Sequence, residues 1–177
     1  ENKLIKNKRK LGILGGTFDP PHNGHLKIST IAKKKYNLEF VIWAITKKNP
    51  FKKKSSTNLK ERIKNSKKFT KKKDFIKIKY FENIIKSDKT INLIKHVLRK
   101  KKNYKIFFLM GADNLINLHK WYKWDEILKT CTVLVFDRAG YKIKSLKSVS
   151  YKKYGKKGLD FVKFNKVNIS SSKLRKI

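Results

Sequence analysis

Residues 11–29, LGILGGTFDPPHNGHLKIS, place two glycines, an Asp-Pro-Pro turn and two histidines directly after a short apolar run. The apolar run predicts a buried strand, and the pattern from Gly24 onward predicts a helix. Gly15 and Gly16 have no Cβ, so the backbone can turn sharply there and lie close to a ligand. The amides of the first helical turn then offer partial positive charge to an anion. The stretch therefore predicts a strand–turn–helix unit that binds phosphate.

His22 and His25 stand three residues apart, so both imidazoles project from one side of the first helical turn, with Gly24 leaving room between them. The turn is not a Walker loop, because no Gly-Lys-Ser/Thr follows, and it does not fit G-x-G-x-x-G. Two histidines held by neighbouring groups, or a metal pair, are the alternatives. A zinc site needs more ligands than two. The position after strand, Gly-Gly and Asp-Pro favours phosphate binding.

The remaining apolar segments alternate between strand-like and helix-like patterns, which predicts a doubly wound, Rossmann-like α/β fold with a parallel sheet. Sheets of this kind bind ligands beyond the carboxyl ends of their strands. Four runs are nearly continuously apolar, and the third alternates, which indicates either a strand nearer an edge or one that serves a different face. The predicted strands are 11–14, 40–45, 75–81, 105–110 and 132–136, and the predicted helices are 24–36, 58–69, 90–100 and 121–129. Asn58 is the expected cap of the second helix and Ser87 or Asp88 of the third.

The composition indicates one domain over residues 1–177, with a core of its own. Cys131 is the single cysteine, so no internal disulfide forms, which fits a reducing compartment. No apolar run approaches the ~20 residues that cross a bilayer, and the four apolar residues after the basic start are too few for a signal peptide. We therefore expect a soluble cytoplasmic protein with no membrane partner.

The formal net charge of +36 allows two interpretations. It would attract a polyanion such as nucleic acid or a phosphorylated ligand. However, only five of the 48 basic residues are arginine, and Lys, Asn and Ile, which have AT-rich codons, are all abundant. Nucleic-acid readers usually rely on arginine. We favour codon usage as the cause, and a basic nucleic-acid-binding protein on the same fold remains the alternative. The sequence carries no signal for an oligomeric state.

The segment GGTFDPPHNGHL resembles the nucleotidylyltransferase superfamily, and its GGTFDP is similar to nicotinate-nucleotide adenylyltransferases in particular. Pantetheine-phosphate adenylyltransferases typically have Thr at the first histidine, so His22 counts against them. The resemblance implies that His22 and His25 are catalytic and bind the phosphates of ATP. It also implies ATP contacts at Gly15, Gly16, Thr17, Phe18 and Gly24.

A second motif lies near the other end, where NISSSKLRKI (168–177) resembles the superfamily's I-S-[ST]-[ST]-x-x-R. Serines at a helix start can ligate phosphate oxygens, and an arginine fork can reach the same triphosphate. The resemblance implies a catalytic Arg175 and ATP contacts at Ile169, Ser170, Ser171 and Ser172. The segment from Ser170 to Ile177 has eight residues, which make only a marginal helix. We therefore expect the final helix of this family to be truncated at Ile177.

Two middle segments, VIWAITKKNPFK (41–52) and GADNLINLHKWYKW (111–124), point to the acceptor. GADNLINLHKWYKW (111–124) is similar to the nicotinate-nucleotide adenylyltransferase pattern, which implies Gly111 and Asp113 near the adenosine. Trp121 offers an indole face, which stacks well on an aromatic ring. The alternative is that a tryptophan here belongs to the core, which we accept for Trp124 and not for Trp121. The resemblance implies nicotinate mononucleotide contacts at Asp19, Asn49, Lys52, Thr90, Trp121, Tyr122 and Arg138.

The implied reaction is adenylyl transfer from ATP to nicotinate mononucleotide, giving nicotinate adenine dinucleotide and pyrophosphate for NAD biosynthesis. A sister enzyme that uses nicotinamide mononucleotide or another phosphorylated acceptor stays open. No carboxylate cluster marks a metal site built by the protein, so Mg²⁺ is expected as a cofactor bound mainly through the ATP phosphates.

Overall fold

A computed structural model describes residues 8–48, 57–137 and 140–164, which form a parallel sheet flanked by helices. The strands are β1 (Arg9–Gly16), β2 (Phe40–Ile45), β3 (Ile76–Lys79), β4 (Tyr104–Gly111), β5 (Thr132–Phe136) and β6 (Leu159–Val162). The helices are α1 (Asn23–Tyr36), α2 (Leu59–Phe69), α3 (Glu82–Ile85), α4 (Thr90–Lys100), α5 (Ala112–Asn117), α6 (Trp124–Thr130), α7 (Lys142–Leu146) and α8 (Val149–Tyr154), and a 3₁₀ turn spans Leu118–Lys120.

The strand order is β3-β2-β1-β4-β5-β6, and every neighbouring pair is parallel. The chain runs outward from β1 to β3, then returns to add β4 on the other side of β1. The carboxyl ends of β1 and β4 therefore lie at the point where the strand order reverses. Open α/β sheets bind their ligands in the crevice at such a point.

Two hydrophobic clusters cover the two faces of the sheet, which makes the fold doubly wound as predicted. On one face, Ala32 of α1 packs with Val41 and Trp43 of β2. On the other, Ile91 and Ile94 of α4 pack with the opposite face of the strands, together with residues of α5 and α6. The central strands are buried on both faces, which explains why their sequences are continuously apolar.

The predicted strands are confirmed with shifts of a few residues at their ends, and the alternating third segment is the edge strand β3. Asn58 caps α2 as predicted, because its side chain accepts a hydrogen bond from the Glu61 N–H at 2.8 Å. The predicted cap of α4 is wrong. Lys89 occupies the N-cap position and, among the described residues, no side chain caps this helix; the Ser87 hydroxyl instead accepts from the Lys89 N–H.

The last predicted helix begins three residues late, at Trp124, because Lys123 adopts the left-handed conformation and separates it from the 3₁₀ turn. Five further elements, α3, α5, α7, α8 and β6, were not predicted from the sequence. Across the described ranges, no helix has the length and apolarity to span a membrane.

Candidate active site

The histidine turn forms the start of α1. His22 is the N-cap residue in extended conformation, and its Nδ1 accepts a hydrogen bond from the Gly24 N–H at 3.0 Å. In return, the His22 backbone N–H donates to Nδ1 of His25 at 3.1 Å. This is a capping box in which imidazoles replace the usual hydroxyl and carboxylate. The two rings stack with centroids 3.8 Å apart.

These two hydrogen bonds fix the tautomer of both neutral imidazoles. A ring nitrogen that accepts a hydrogen bond carries no proton, so the proton of each neutral ring lies on Nε2. His22 and His25 therefore each offer an Nε2–H donor from the same helical turn. Two adjacent N–H donors at a helix N-terminus, where the helix dipole is positive, suit a phosphate group.

Aromatic packing holds the ring of His25. Phe18 lies with its ring centroid 4.6 Å from that of His25 and stacks on Trp43 at 4.7 Å. The Trp43 Nε1–H donates to the Ser29 hydroxyl, which in turn donates to the backbone carbonyl of His25, both at 2.8 Å. Phe18 has φ +49°, a left-handed conformation that costs energy for a residue with a Cβ. Phe18 is buried against both rings, and this packing stabilises that conformation.

Asp19 belongs to the turn between β1 and α1 and is only 3% exposed. Both its carboxylate oxygens accept hydrogen bonds from Thr57, one from the backbone N–H at 3.3 Å and one from the hydroxyl. The sequence analysis assigned Asp19 to the acceptor. The structure places its carboxylate inside the loop that supports the histidine turn.

Arg62 of α2 was not singled out from the sequence. Its guanidinium is 2% exposed and donates to backbone carbonyls in the loops around the histidine turn, among them that of Thr17 at 2.8 Å. A signal was available: arginine is scarce among the basic residues of this chain, and Arg62 stands in a helix whose other cations are lysines.

A cleft of about 170 Å³ opens at the carboxyl ends of β1 and β4. Of the predicted contacts, it collects Gly15, Gly16, Thr90, Trp121 and Tyr122. Its other lining residues, which the sequence analysis did not select, are Thr46, Lys48, Asp88, Lys89, Phe108, Leu109, Met110, Asn114 and Lys120. Three lysines against one aspartate give the cleft a cationic lining, which fits an anionic ligand.

The histidine pair lies beside this cleft and not in its lining. The link between them is Gly16, where an added Cβ would lie 3.5 Å from the Phe18 ring that packs on His25. At Gly15 the nearest protein atom to an added Cβ would be 3.8 Å away. Protein packing therefore does not demand either glycine, and their missing side chains keep the cleft open.

Trp121 and Trp124 have different surroundings, although they are three residues apart. Trp121 lines the cleft and packs edge-on against Phe108, with ring centroids 6.2 Å apart. Trp124 instead packs edge-on against Tyr154 at 5.6 Å. Tyr122 is 52% exposed at the cleft mouth. Both side chains also pack against the same hydrophobic cluster, and the contact of Trp121 with the acceptor stays a prediction.

Gly111 ends β4, directly before α5. A Cβ at this position would lie 2.5 Å from an oxygen of the Asp113 carboxylate, closer than atoms can approach. A larger residue at this position would make the flexible Asp113 side chain move away. Neither residue is in the lining of the cleft, nor are Thr17, Phe18 and Gly24.

The other predicted site residues lie outside the described residues. They are Asn49, Lys52, Arg138, Ile169, Ser170, Ser171, Ser172 and Arg175. The convergence of the histidine turn and the serine-rich motif on one ligand thus stays a prediction. Within the described part of the chain, no group of three or more His, Cys, Asp or Glu residues could hold a metal ion.

Comparison with known proteins adds to this picture. Residues 13–177 match the family described as cytidylyltransferase-like. A Pelagibacter ubique protein named probable nicotinate-nucleotide adenylyltransferase is 60% identical over 177 residues, which cover 100% of this chain and 98% of that protein. A Rhizobium johnstonii protein of the same name is 34% identical over 146 residues, covering 82% of this chain and 73% of the relative.

Among solved structures, the Plasmodium falciparum nicotinic acid mononucleotide adenylyltransferase complexed with NaAD superposes with a TM-score of 0.74 at 20% identity. The match covers 95% of this chain and 83% of that one. At this identity the likeness shows a shared fold.

Proposed function

The chain belongs to the cytidylyltransferase-like family and, within it, to the nicotinate-nucleotide adenylyltransferases, and from this premise we propose that it adenylates nicotinate mononucleotide. A phosphate oxygen of nicotinate mononucleotide attacks the α-phosphorus of ATP. The bond from that phosphorus to the bridging oxygen of the β-phosphate breaks. The products are nicotinate adenine dinucleotide and pyrophosphate, a step of NAD biosynthesis.

The observation that carries this proposal is the position of the cationic cleft beside the histidine turn. The cleft offers the indole of Trp121 to an aromatic ring and the N-terminus of α4, at Thr90, to a carboxylate. Lys48, Lys89 and Lys120 add positive charge. Nicotinate mononucleotide combines an aromatic ring, a carboxylate and a phosphate, and thus matches each of these groups.

The histidines act on the other substrate. The Nε2–H groups of His22 and His25 donate hydrogen bonds to the ATP phosphates and stabilise the charge that develops on pyrophosphate as it leaves. The nucleophile is already an anion, so the reaction needs no strong general base. Catalysis consists of positioning two anions and stabilising the leaving group.

The remaining assignments are part of the proposal. Arg175 and the segment Ile169–Ser172 would bind the β and γ phosphates, and Gly111 and Asp113 would lie at the adenosine. Asn49, Lys52 and Arg138 would contact the acceptor. Support for each comes from the motif that contains it. We also place the enzyme in the cytoplasm, where its single cysteine would stay reduced.

Mg²⁺ belongs to the proposal as a companion of ATP. In this proposal the ion keeps most of its waters and is held by the triphosphate, as is usual for magnesium bound with a nucleotide. When bound there, the ion neutralises phosphate charge.

The test incubates the protein with ATP, Mg²⁺ and one acceptor at a time. Nicotinate mononucleotide is compared with nicotinamide mononucleotide, and both the dinucleotide and pyrophosphate are quantified. We expect equal amounts of the two products and faster turnover with the acid than with the amide. Faster turnover with the amide would assign the chain to a sister activity. Pyrophosphate release that does not depend on an acceptor would contradict the proposal.

A further inference from the structure

Arg62 is a buried cation whose hydrogen bonds all go to backbone carbonyls in the described chain. Its Nη1 donates to the carbonyls of Thr17 and Thr46 at 2.8 and 2.7 Å. Its Nη2 donates to the carbonyl of Lys47 at 3.0 Å, and its Nε to that of Thr57 at 3.3 Å. The planar guanidinium has five N–H donors, and four of them are used in this way.

The four carbonyls come from three separate stretches of chain. Thr17 directly follows the glycines at the end of β1 and precedes Phe18. Thr46 and Lys47 directly follow β2, and Thr57 precedes α2. Arg62 therefore joins the turn that leads to the histidines with the end of the neighbouring strand and with the start of its own helix.

Further contacts tighten each of these connections. Thr57 holds the carboxylate of Asp19, within the same turn, through its N–H and its hydroxyl. The peptide between Thr46 and Lys47 is held from both sides, since its carbonyl accepts from Arg62 and its N–H donates to the Glu82 carboxylate at 2.7 Å. Asp19 and Glu82 also attract the guanidinium electrostatically. These two carboxylates offset part of the cost of burying the cation.

We propose that Arg62 is a positioning residue for adenylyl transfer, which fixes the histidine turn against the cleft by holding the Thr17 carbonyl. Thr17 is one residue away from a side chain that contacts His25. The next residue, Phe18, packs on the ring of His25 and lies against Gly16 in the cleft wall. This inference rests on the proposed function, because it is the alignment of two substrates that a shifted turn would spoil.

The test uses Arg62→Lys, which keeps the charge but replaces the planar fork by a single ammonium. That group cannot donate to four carbonyls at once. We expect a folded protein whose kcat falls ~10- to 100-fold, since a misplacement of about 1 Å costs rate on that scale. The KM of the acceptor should change less than kcat.

The matched control is Thr70→Val at the end of the same helix. Thr70 is buried, and its hydroxyl donates to the Ser66 carbonyl at 2.8 Å. Its loss destabilises α2 without touching the three joined loops. We expect a lower melting temperature and an unchanged kcat for the folded enzyme. Equal kcat losses in Thr70→Val and Arg62→Lys would assign Arg62 a purely structural role.

A second readout does not depend on activity. Nitrogen-15 NMR of labelled histidine reports the tautomers of His22 and His25. We expect Nε2–H in the wild type and in Thr70→Val, with a mixed tautomer signal in Arg62→Lys. Should Arg62→Lys fail to fold, Arg62→Gln keeps a planar group with only two N–H donors and should also lower kcat ~10- to 100-fold.

The outcomes separate the two proposals. A wild type that makes no dinucleotide refutes the proposed function, while the NMR comparison still tests the role of Arg62. An active wild type with unchanged kcat and unchanged tautomers in Arg62→Lys, or in Arg62→Gln if the first variant is unfolded, overturns the positioning role alone.

Discussion

The backbone N–H of His22 donates to Nδ1 of His25 across the first turn of α1, and their rings stack with centroids 3.8 Å apart. The same two side chains thus cap a helix and present two Nε2–H donors. Helix capping does not need imidazoles, because a serine and a glutamine at these two positions would form the usual capping box. Catalysis, in contrast, would use the Nε2–H donors. Substitution can remove one task and keep the other.

The double variant His22→Ser/His25→Gln should keep the stability of the wild type and lose its activity. Serine at the N-cap accepts from the helix amides, and glutamine three residues later reaches back to the N-cap N–H. Urea unfolding should give a midpoint close to that of the wild type. Turnover, followed by pyrophosphate release, should fall by more than either single change produces. Activity within a few-fold of wild type would remove both imidazoles from the mechanism.

The single variant His25→Ala should lower kcat by about 10²–10³, the usual loss for one donor to a developing negative charge. It also leaves the His22 N–H without its acceptor, which costs about 1 kcal/mol of stability. His25→Gln is the matched control, because it restores the acceptor and not the imidazole. Stability should recover in His25→Gln while kcat stays low. Recovery of both would show that His25 acts only as a cap.

The fold could be predicted because its central strands are buried on both faces and therefore read as continuous apolar runs. Strand β6 lacks that signal. It has four residues, LDFV, in a lysine-rich stretch. Its position depends on Gly158, with φ +88°, where an added Cβ would lie 2.9 Å from the Leu128 carbonyl oxygen. Such a close approach is a property of the packed structure and leaves little trace in the sequence.

The site could be predicted where one short segment carries the chemistry, as in the histidine turn. Arg62 was missed for a physical reason. In LKERIKNSKKF an arginine among lysines resembles the solvated face of a helix. The scarcity of arginine sets Arg62 apart in the sequence, but its burial becomes visible only when carbonyls from three loops surround it. The contact between Asp19 and Thr57 could not be foreseen either, because the two residues lie 38 positions apart in the chain. The contact of Asp19 with the acceptor stays a prediction.

Trp121→Phe should weaken acceptor binding, because Trp121 lines the cleft and Trp124 does not. We expect the KM for nicotinate mononucleotide to rise ~3- to 10-fold, in line with the ~0.5–1.5 kcal/mol that aromatic pairs contribute. The KM for ATP should stay constant. Trp124→Phe is the control: it trims the contact with Tyr154 and should lower the melting temperature without changing either KM. The reverse pattern would place the acceptor elsewhere.

Cys131 should be inert in the folded protein. Its side chain is buried, its thiol donates to the Ile127 carbonyl at 3.2 Å, and burial raises the pKa of the thiol to about 12. The reactive thiolate is therefore scarce at neutral pH. We expect a thiol reagent such as DTNB to react only after unfolding in urea, and native activity to survive the reagent. Rapid labelling of the native protein would contradict this burial.

Glu39 lies at the amino-terminal ends of the strands, opposite the cleft, and should make the stability of the protein depend on pH in the acid range. The hydrogen bond from Arg9 at 2.7 Å, with a further one from the Tyr104 hydroxyl, holds the pKa of Glu39 below its ordinary value. A carboxyl whose pKa is depressed by folding stabilises the protein above its unfolded-state pKa. That contribution is lost as the pH falls through the folded-state value. The unfolding midpoint of Glu39→Gln should therefore be lower than that of the wild type at neutral pH and equal to it in acid.

Two controls accompany this comparison: unfolding in added salt and a measurement of kcat. Arg9 and Glu39 are both exposed at the surface, so added salt should shrink the difference between the two proteins at neutral pH. Their distance from the cleft predicts the same kcat for Glu39→Gln and the wild type, because Arg9 and Tyr104 begin strands whose opposite ends form the site. A difference in stability that persists unchanged into acid would show that Glu39 acts through packing and not through its charge.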